Sequence, residues 1–310
     1  MSSVAAVVVP VFGTVALGYG VTRTGLFTHD TGAGLTRFMY YLAIPALLFR
    51  GVAGGALPAT VPWAFLATFY LPALVLFGLG IWLAQRMLGW SRREAGIAGM
   101  SACYANIALL GFPLITAAFG DAARLPLFIL LATQSILLFP LTTYALEIYG
   151  HGRSGDPSFY ARAAGRLALN PVIGSLLLGL AANFAGIGVP APLSRMLELL
   201  SAAGPGCALV ALGISLAHYP LGGSALAVGV LVLLKNVLSP ALVWGLGHVC
   251  GVDQHWLAVA VVLAAMPVGL NTFIFSSQYD IRPQTVAQTI VASTLVSSVV
   301  SSALLSWLLV

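Results

Sequence analysis

The sequence predicts an all-α polytopic membrane protein of ten transmembrane helices, built as two inverted five-helix repeats with the fourth and ninth helices broken. Three observations lead there. Only 7% of the 310 residues are charged and 60% are hydrophobic, against about 25% charged in a soluble domain, so the chain lacks the polar side chains to cover a water-facing surface. Apolar windows of about 20 residues, the length that spans a bilayer core, recur ten times. Two of those windows, the fourth and the ninth, are interrupted at matching places by a proline with an asparagine nearby. The first reads YANIALLGFPLI, with Asn106 and Pro113; the second reads AAMPVGLNTFIF, with Pro267 and Asn271.

The windows fall at roughly 4–24, 32–51, 62–86, 94–118, 125–149, 168–187, 194–217, 223–249, 255–278 and 285–309. The N-terminal MSSVAAVVVPVFG has no basic region ahead of its apolar run and reads as the first span rather than a signal peptide. The loops between windows set orientation. Arg23, Arg37, Arg86, Arg92, Arg93, Arg153, Arg162, Arg166 and Arg282 lie in or beside the odd-numbered loops, while Arg50, Arg124 and Arg195 belong to the even-numbered ones. Basic residues concentrate on the cytoplasmic side. The odd loops are therefore expected inside and both termini outside, in the cell inner membrane. The net charge of +5 and the pI near 9.3 follow from these loop arginines and do not call for nucleic acid. The hydrophilic stretch GHGRSGDPSFYARAAGR at the chain's midpoint is expected to be a cytoplasmic linker, residues 150–167. Cys103, Cys207 and Cys250 show no metal-ligand spacing and read as packing residues.

The two halves, 1–149 and 168–310, resemble each other in order. PVFGTVALGY (10–19) aligns with PVIGSLLLGL (171–180), PALV occurs at 72–75 and again at 240–243, and Gly80 and Gly247 follow at nearly equal distance. A repeat of five spans puts its second copy in the membrane upside down, the plan of many secondary transporters.

The interruptions are the first candidates for chemistry. A proline lacks its N–H and clashes with the carbonyl four residues back, and backbone groups so freed survive in a membrane only beside protein or a wet cavity. The start of a half-helix carries partial positive charge and attracts anions. Asn106 and Asn271 can each donate and accept; the plainer reading is a kink with asparagine bonding between helices. Lys235 lies about 18 Å into its span. At that depth a cation is part of a functional site, or it snorkels toward a wet crevice or pairs structurally with a backbone carbonyl. Gln134, flanked by Thr133 and Ser135, and the group Gln288, Thr289, Ser293 and Thr294 are expected either to line a pathway or to bond between helices. No HExxH, P-loop, GxSxG or paired catalytic carboxylates occur, so no enzyme activity is expected.

NIALLGFP (106–113), NPVIGSLLLGL (170–180), AMPVGLNTFIFSSQYD (265–280) and the final VASTLVSSVVSSALLSWLL (291–309) together resemble the auxin efflux carrier family, in a bacterial form related to the plant PIN-FORMED carriers and distantly to the bile-acid/sodium symporters. The resemblance implies scaffold helices 1, 2, 6 and 7 and transport helices 3–5 and 8–10, with helices 4 and 9 crossing at Pro113 and Pro267. It implies substrate beside that crossing, contacted by Asn106 and Gln134. The third span, FLATFYLPALVLFGLG (65–80), lacks the acidic and basic pair of the plant carriers, which favours a small carboxylate such as malate or malonate over an auxin-like acid. The expected function is alternating-access efflux or exchange of a small organic anion, with a sodium-coupled importer of amphipathic anions as the alternative. No cofactor is expected, and coupling to H+ or Na+ is left open. The expected partners are the organic anion and membrane lipid; a second copy of the chain is admitted as a homodimer partner, and nucleic acid is not.

Overall fold

Backbone N–H and C=O groups cannot go unpaired in hydrocarbon, so a chain this apolar must satisfy them within helices. The computed structural model describes residues 2–54, 62–148, 171–219 and 222–308, and these are helical apart from turns and one isolated bridge. The expected linker 150–167 lies outside the described residues. Twelve helices follow in order among those described: α1 (Ser2–Arg23), α2 (His29–Ala53), α3 (Trp63–Met87), α4 (Arg92–Cys103), α5 (Phe112–Phe119), α6 (Arg124–Ile148), α7 (Pro171–Phe184), α8 (Ala191–His218), α9 (Ala225–Val249), α10 (Gln254–Ala264), α11 (Leu270–Gln278) and α12 (Pro283–Leu308). Among the described residues, seven apolar stretches are long enough to cross a membrane. One of them, Ile107–Leu146, takes in both α5 and α6 and turns at a short 3-10 segment, Gly120–Ala123. The expected fourth span is thus α4 with α5, and the ninth is α10 with α11. The molecule is a multi-pass, all-helical membrane protein.

Helix ends that reach water are capped from the sequence. Ser91 accepts from the Glu94 N–H while Glu94 bonds back to Ser91, a capping box at the start of α4. Thr28 and Thr31 do the same for α2, Ser224 caps α9 and Asp253 caps α10.

Three prolines inside the spans reshape their helices in one way. π turns at Met39–Ala43, Ile107–Gly111 and Leu234–Leu238 each end two residues before a proline, Pro45, Pro113 and Pro240. The ring would strike the carbonyl four residues back, and a widened turn relieves that clash without unwinding the helix. Pro113 therefore shapes the helix that resumes after the interruption. The chain breaks seven residues earlier, at Tyr104–Asn106. This corrects the expected position, because a helix already past its first turn absorbs a proline where a sequence pattern suggests a break.

Close packing rests on glycine. α1 lies along α8, where a Cβ on Gly213 would overlap the Val15 carbonyl and the Tyr19 nitrogen, and one on Gly18 would meet the backbone of Val210. α3 lies along α4 through Gly80 and Gly99 in the same way. α2 meets α7 at Gly179, with Asn183 Nδ2 donating to the Val52 carbonyl at 2.9 Å. α1, α2, α7 and α8 form one packed group; α3, α4, α6, α9, α10 and α12 form another. Exposed apolar side chains such as Leu17, Leu74, Val75, Leu295 and Val299 suit contact with lipid.

At the ends of the two interrupted spans, Arg282 pairs with Glu94 at 2.8 Å and lies over the Trp90 ring at 4.8 Å, while Arg93 donates to the Tyr279 carbonyl at 3.2 Å. The turn before α12 is thereby tied to the start of α4.

Gly213→Val should push α1 from α8. Overpacking of this kind costs about 1–3 kcal/mol or more, read as a lowered midpoint of thermal unfolding in detergent. Gly13→Ala, on α1 with open space around it, should hold or raise the midpoint.

Candidate functional site

The two interruptions meet. α4 ends at Cys103, and Tyr104 turns extended (φ −77°, ψ 113°). Ala105 then forms an antiparallel bridge with Val268: the Asn106 N–H donates to the Pro267 carbonyl at 2.9 Å, and the Gly269 N–H donates to the Tyr104 carbonyl at 3.0 Å. A two-residue scrap of β pairing replaces the missing helical bonds.

The groups left over at the bridge are met by side chains of other helices. Gln134 on α6 grips Ala105 at both ends, accepting its N–H at 3.2 Å and donating to its carbonyl at 2.9 Å. Ser293 on α12 accepts the Val268 N–H at 3.0 Å. The last carbonyls of α10 need donors too. Lys235 Nζ donates to Ala264, Asn236 Nδ2 to Ala265 at 3.0 Å, and Ser297 Oγ to Ala265 at 2.9 Å. Ser293 Oγ in turn donates to Asn236 Oδ1 at 2.7 Å. A cation at the negative end of a half-helix is electrostatically well placed, and Lys235 is fully buried there.

Beside the bridge lies a cavity of about 460 Å³, in the size range of small-ligand sites. The leading turns of both resumed half-helices face it, through Asn106–Leu109 ahead of α5 and Gly269–Asn271 at the start of α11. Its other walls are α2, α6 and the last turns of α8. First-turn N–H groups have no carbonyl four residues back and give this wall a positive character.

Asn106 caps α5 by accepting the Leu109 N–H on Oδ1 at 3.2 Å. Its Nδ2 is buried and has no hydrogen-bond partner. A buried donor left unmade costs about 1–3 kcal/mol. Asn271 Nδ2 donates to Tyr104 Oη at 2.9 Å, and Tyr104 Oη shares a hydrogen bond of 2.9 Å with Ser135. Toward the open end, Arg37 lines the cavity with His29 and His218, whose rings sit edge to face at 5.8 Å. Arg37 is exposed and makes no ion pair among the described residues.

Of the six residues singled out from sequence, the structure brings Asn106, Gln134 and Asn271 together on the cavity. Pro113, Pro267 and Lys235 do not line it: Pro113 shapes a π turn, Pro267 supplies the carbonyl that Asn106 binds, and Lys235 holds the end of α10. The polar residues of α12 bond between or within helices. Ser293 serves the bridge, Gln288 Oε1 accepts the Gly223 N–H at 2.8 Å, and Thr289 and Thr294 donate to their own helix. Arg37, Tyr104 and His218 were not expected at the site. Tyr104 sits two residues before Asn106 in the interrupted segment and was the one legible signal.

A family model described as membrane transport protein matches residues 3–154 and 159–305. The chain belongs to that family. Among relatives, this membrane transport protein is 29% identical to a "Putative malonate transporter" of Rhizobium meliloti, over 94% of this chain and 91% of the other. It is 24% identical to auxin efflux carrier component 8 of Arabidopsis thaliana, over 91% of each, and 22% identical to the uncharacterized transporter YfdV of Escherichia coli, over 89% and 88%. The resemblance read from the motifs holds, and the family is one of transporters rather than enzymes.

Gln134→Leu strands the N–H and C=O of Ala105 at the bridge. Each unmade bond costs about 1–3 kcal/mol, so the thermal midpoint in detergent should fall by several degrees. Asn271→Ala removes one half-buried hydrogen bond to a Tyr104 hydroxyl that keeps Ser135, so it should cost about 0.5–1.5 kcal/mol and lower that midpoint less than Gln134→Leu does.

Proposed function

We propose that this protein is a secondary carrier of a small organic anion, a dicarboxylate of malonate size, that works by alternating access. The observation that carries the reading is the convergence on one cavity of two half-helix starts, the unpaired amide nitrogen of Asn106, and Arg37. Together they offer donors and positive charge with no carboxylate among the lining residues. Malonate is favoured because a relative covering nearly the whole chain carries that substrate in its name. The carboxylates would take Asn106 Nδ2 and the start of α11, with Asn271 and Gln134 completing the contact. Pro113, Pro267 and Lys235 hold the shape of the site.

On this reading the chain spans the membrane ten times as two inverted repeats, with α4–α5 and α10–α11 crossing at the bridge. The group α1, α2, α7 and α8 is the scaffold, and the remainder is the moving bundle. Their separate packing supports that division. With the basic loops inside the cell, the cavity opens to the cytoplasm of an inner-membrane protein, past Arg37, His29 and His218. Each exported negative charge gains about 2.3 kcal/mol per 100 mV of inside-negative potential, so efflux runs without a coupled ion.

Purified protein in proteoliposomes should take up radiolabelled malonate under an inside-positive potential, equally with and without sodium. Collapse of flux without sodium would replace the uniport with a sodium-coupled importer. Asn106→Ala should cut flux at least about tenfold, in line with the loss of one buried hydrogen bond to a charged group, with unchanged protein in the membrane; wild-type flux would remove Asn106 from the site. Lys235→Ala should lower stability and leave the malonate KM unchanged.

A further inference from the structure

A second cavity, of about 390 Å³, lies at the opposite ends of the helices that wall the first. Four of them contribute to both: α2, the α5 segment with its leading turn, α6 and α8. Only one helical turn separates the two on three of these helices. Ile44 lines the first and Leu47 the second; Leu109 the first and Phe112 the second; Leu131 the first and Phe128 the second. Three residues are about 4.5 Å of rise. The partition is apolar, and Phe128 closes it against Gly51, where any Cβ would strike the ring.

The second cavity also holds cations. Arg124 pairs with Asp121 at 2.6 Å, and the wall residue Glu198 is engaged by Arg195 at 3.1 Å, so these charges are compensated locally. Arg50 is not. It is half-buried, its Nη1 donates to Ser201 Oγ at 3.3 Å, and it makes no ion pair among the described residues. Ser201 passes its own proton to the Glu198 carbonyl at 3.0 Å, which fixes its oxygen as the acceptor. A guanidinium carries five N–H donors in a planar fork that matches a carboxylate. Arg50 stands thirteen residues beyond Arg37 on α2, about 20 Å along the helix, so each cavity has its own uncompensated arginine.

We propose that this cavity is a second carboxylate site, the outer vestibule of the same pathway, with Arg50 as its anchor and the Phe128–Gly51 contact as its closed partition. It rests on the transporter reading for the word pathway, but the site itself makes a prediction that needs no flux. In a variant with Cys103, Cys207 and Cys250 replaced by alanine, Ala202→Cys places a thiol on the exposed wall of the cavity. Membrane-impermeant thiosulfonates, one anionic and one cationic, are applied to either face of sealed, oriented vesicles.

The thiol should react from the outer face, with the anionic reagent about tenfold faster than the cationic one, within the range that focused charge produces. Arg50→Gln should bring the two rates together, and Arg50→Lys should keep them apart. External malonate should slow the labelling in the parent and in Arg50→Lys but not in Arg50→Gln. Equal rates in the parent, no change in Arg50→Gln, or labelling only from the cytoplasmic face would each overturn the proposal. Arg50-dependent labelling with no malonate flux in proteoliposomes would leave the outer anion site standing and sink the carrier reading instead.

Discussion

An interrupted helix at membrane depth exposes N–H and C=O groups that hydrocarbon cannot solvate. Two such interruptions placed against each other solve part of the problem mutually, through the paired bonds of Asn106 with Pro267 and of Gly269 with Tyr104. The rest of the structure is arranged around the remainder. Gln134 comes from α6, Ser293 and Ser297 from α12, and Lys235 and Asn236 from α9. The buried residues Gln134, Lys235, Asn236, Ser293 and Ser297 answer to these few backbone groups, while buried hydroxyls such as Thr22, Ser101, Thr142, Thr289 and Thr294 bond to their own helices.

The two breaks are served unequally. One glutamine side chain satisfies Ala105 on the first, whereas four side chains, Lys235 among them, gather at the second. The second break has a finished helix end to hold, since the carbonyls of Ala264 and Ala265 point out of α10 with no residue ahead to receive them. Two buried side-chain atoms next to the breaks keep no partner among the described residues, Asn106 Nδ2 and Thr272 Oγ1. Asn106 lines the cavity and spends its oxygen capping α5, which leaves its amide nitrogen as the free end. On the proposed reading, the Asn106 amide is where a ligand acceptor would bind.

Glycine contacts bind α1 to α8 and α3 to α4 at backbone distance, while the walls between the two groups hold cavities. Tight seams within each group and looser ones between them suit two bodies that slide. On the proposed reading, one turn of apolar side chains around Phe128 keeps the two cavities apart, and motion at that seam exchanges one opening for the other.

Composition alone determined that this chain lives in lipid, since 7% charge cannot cover a soluble surface. The Asn and Pro pattern located both interruptions, because a proline within an apolar window is a local signal. The polar residue Gln134 was visible for the same reason. Where the chain actually breaks was not legible, because whether Pro113 ends a helix or merely widens a turn depends on what pairs with residues 104–106 from 160 positions away. The role of Lys235 was equally hidden, since a lone deep cation reads alike as ligand anchor or helix cap until the end of α10 is placed beside it. Arg37 and Arg50 looked like loop-side charges that set orientation. Only the tertiary structure turns each toward a cavity, because a helix face acquires a meaning when its neighbours are known.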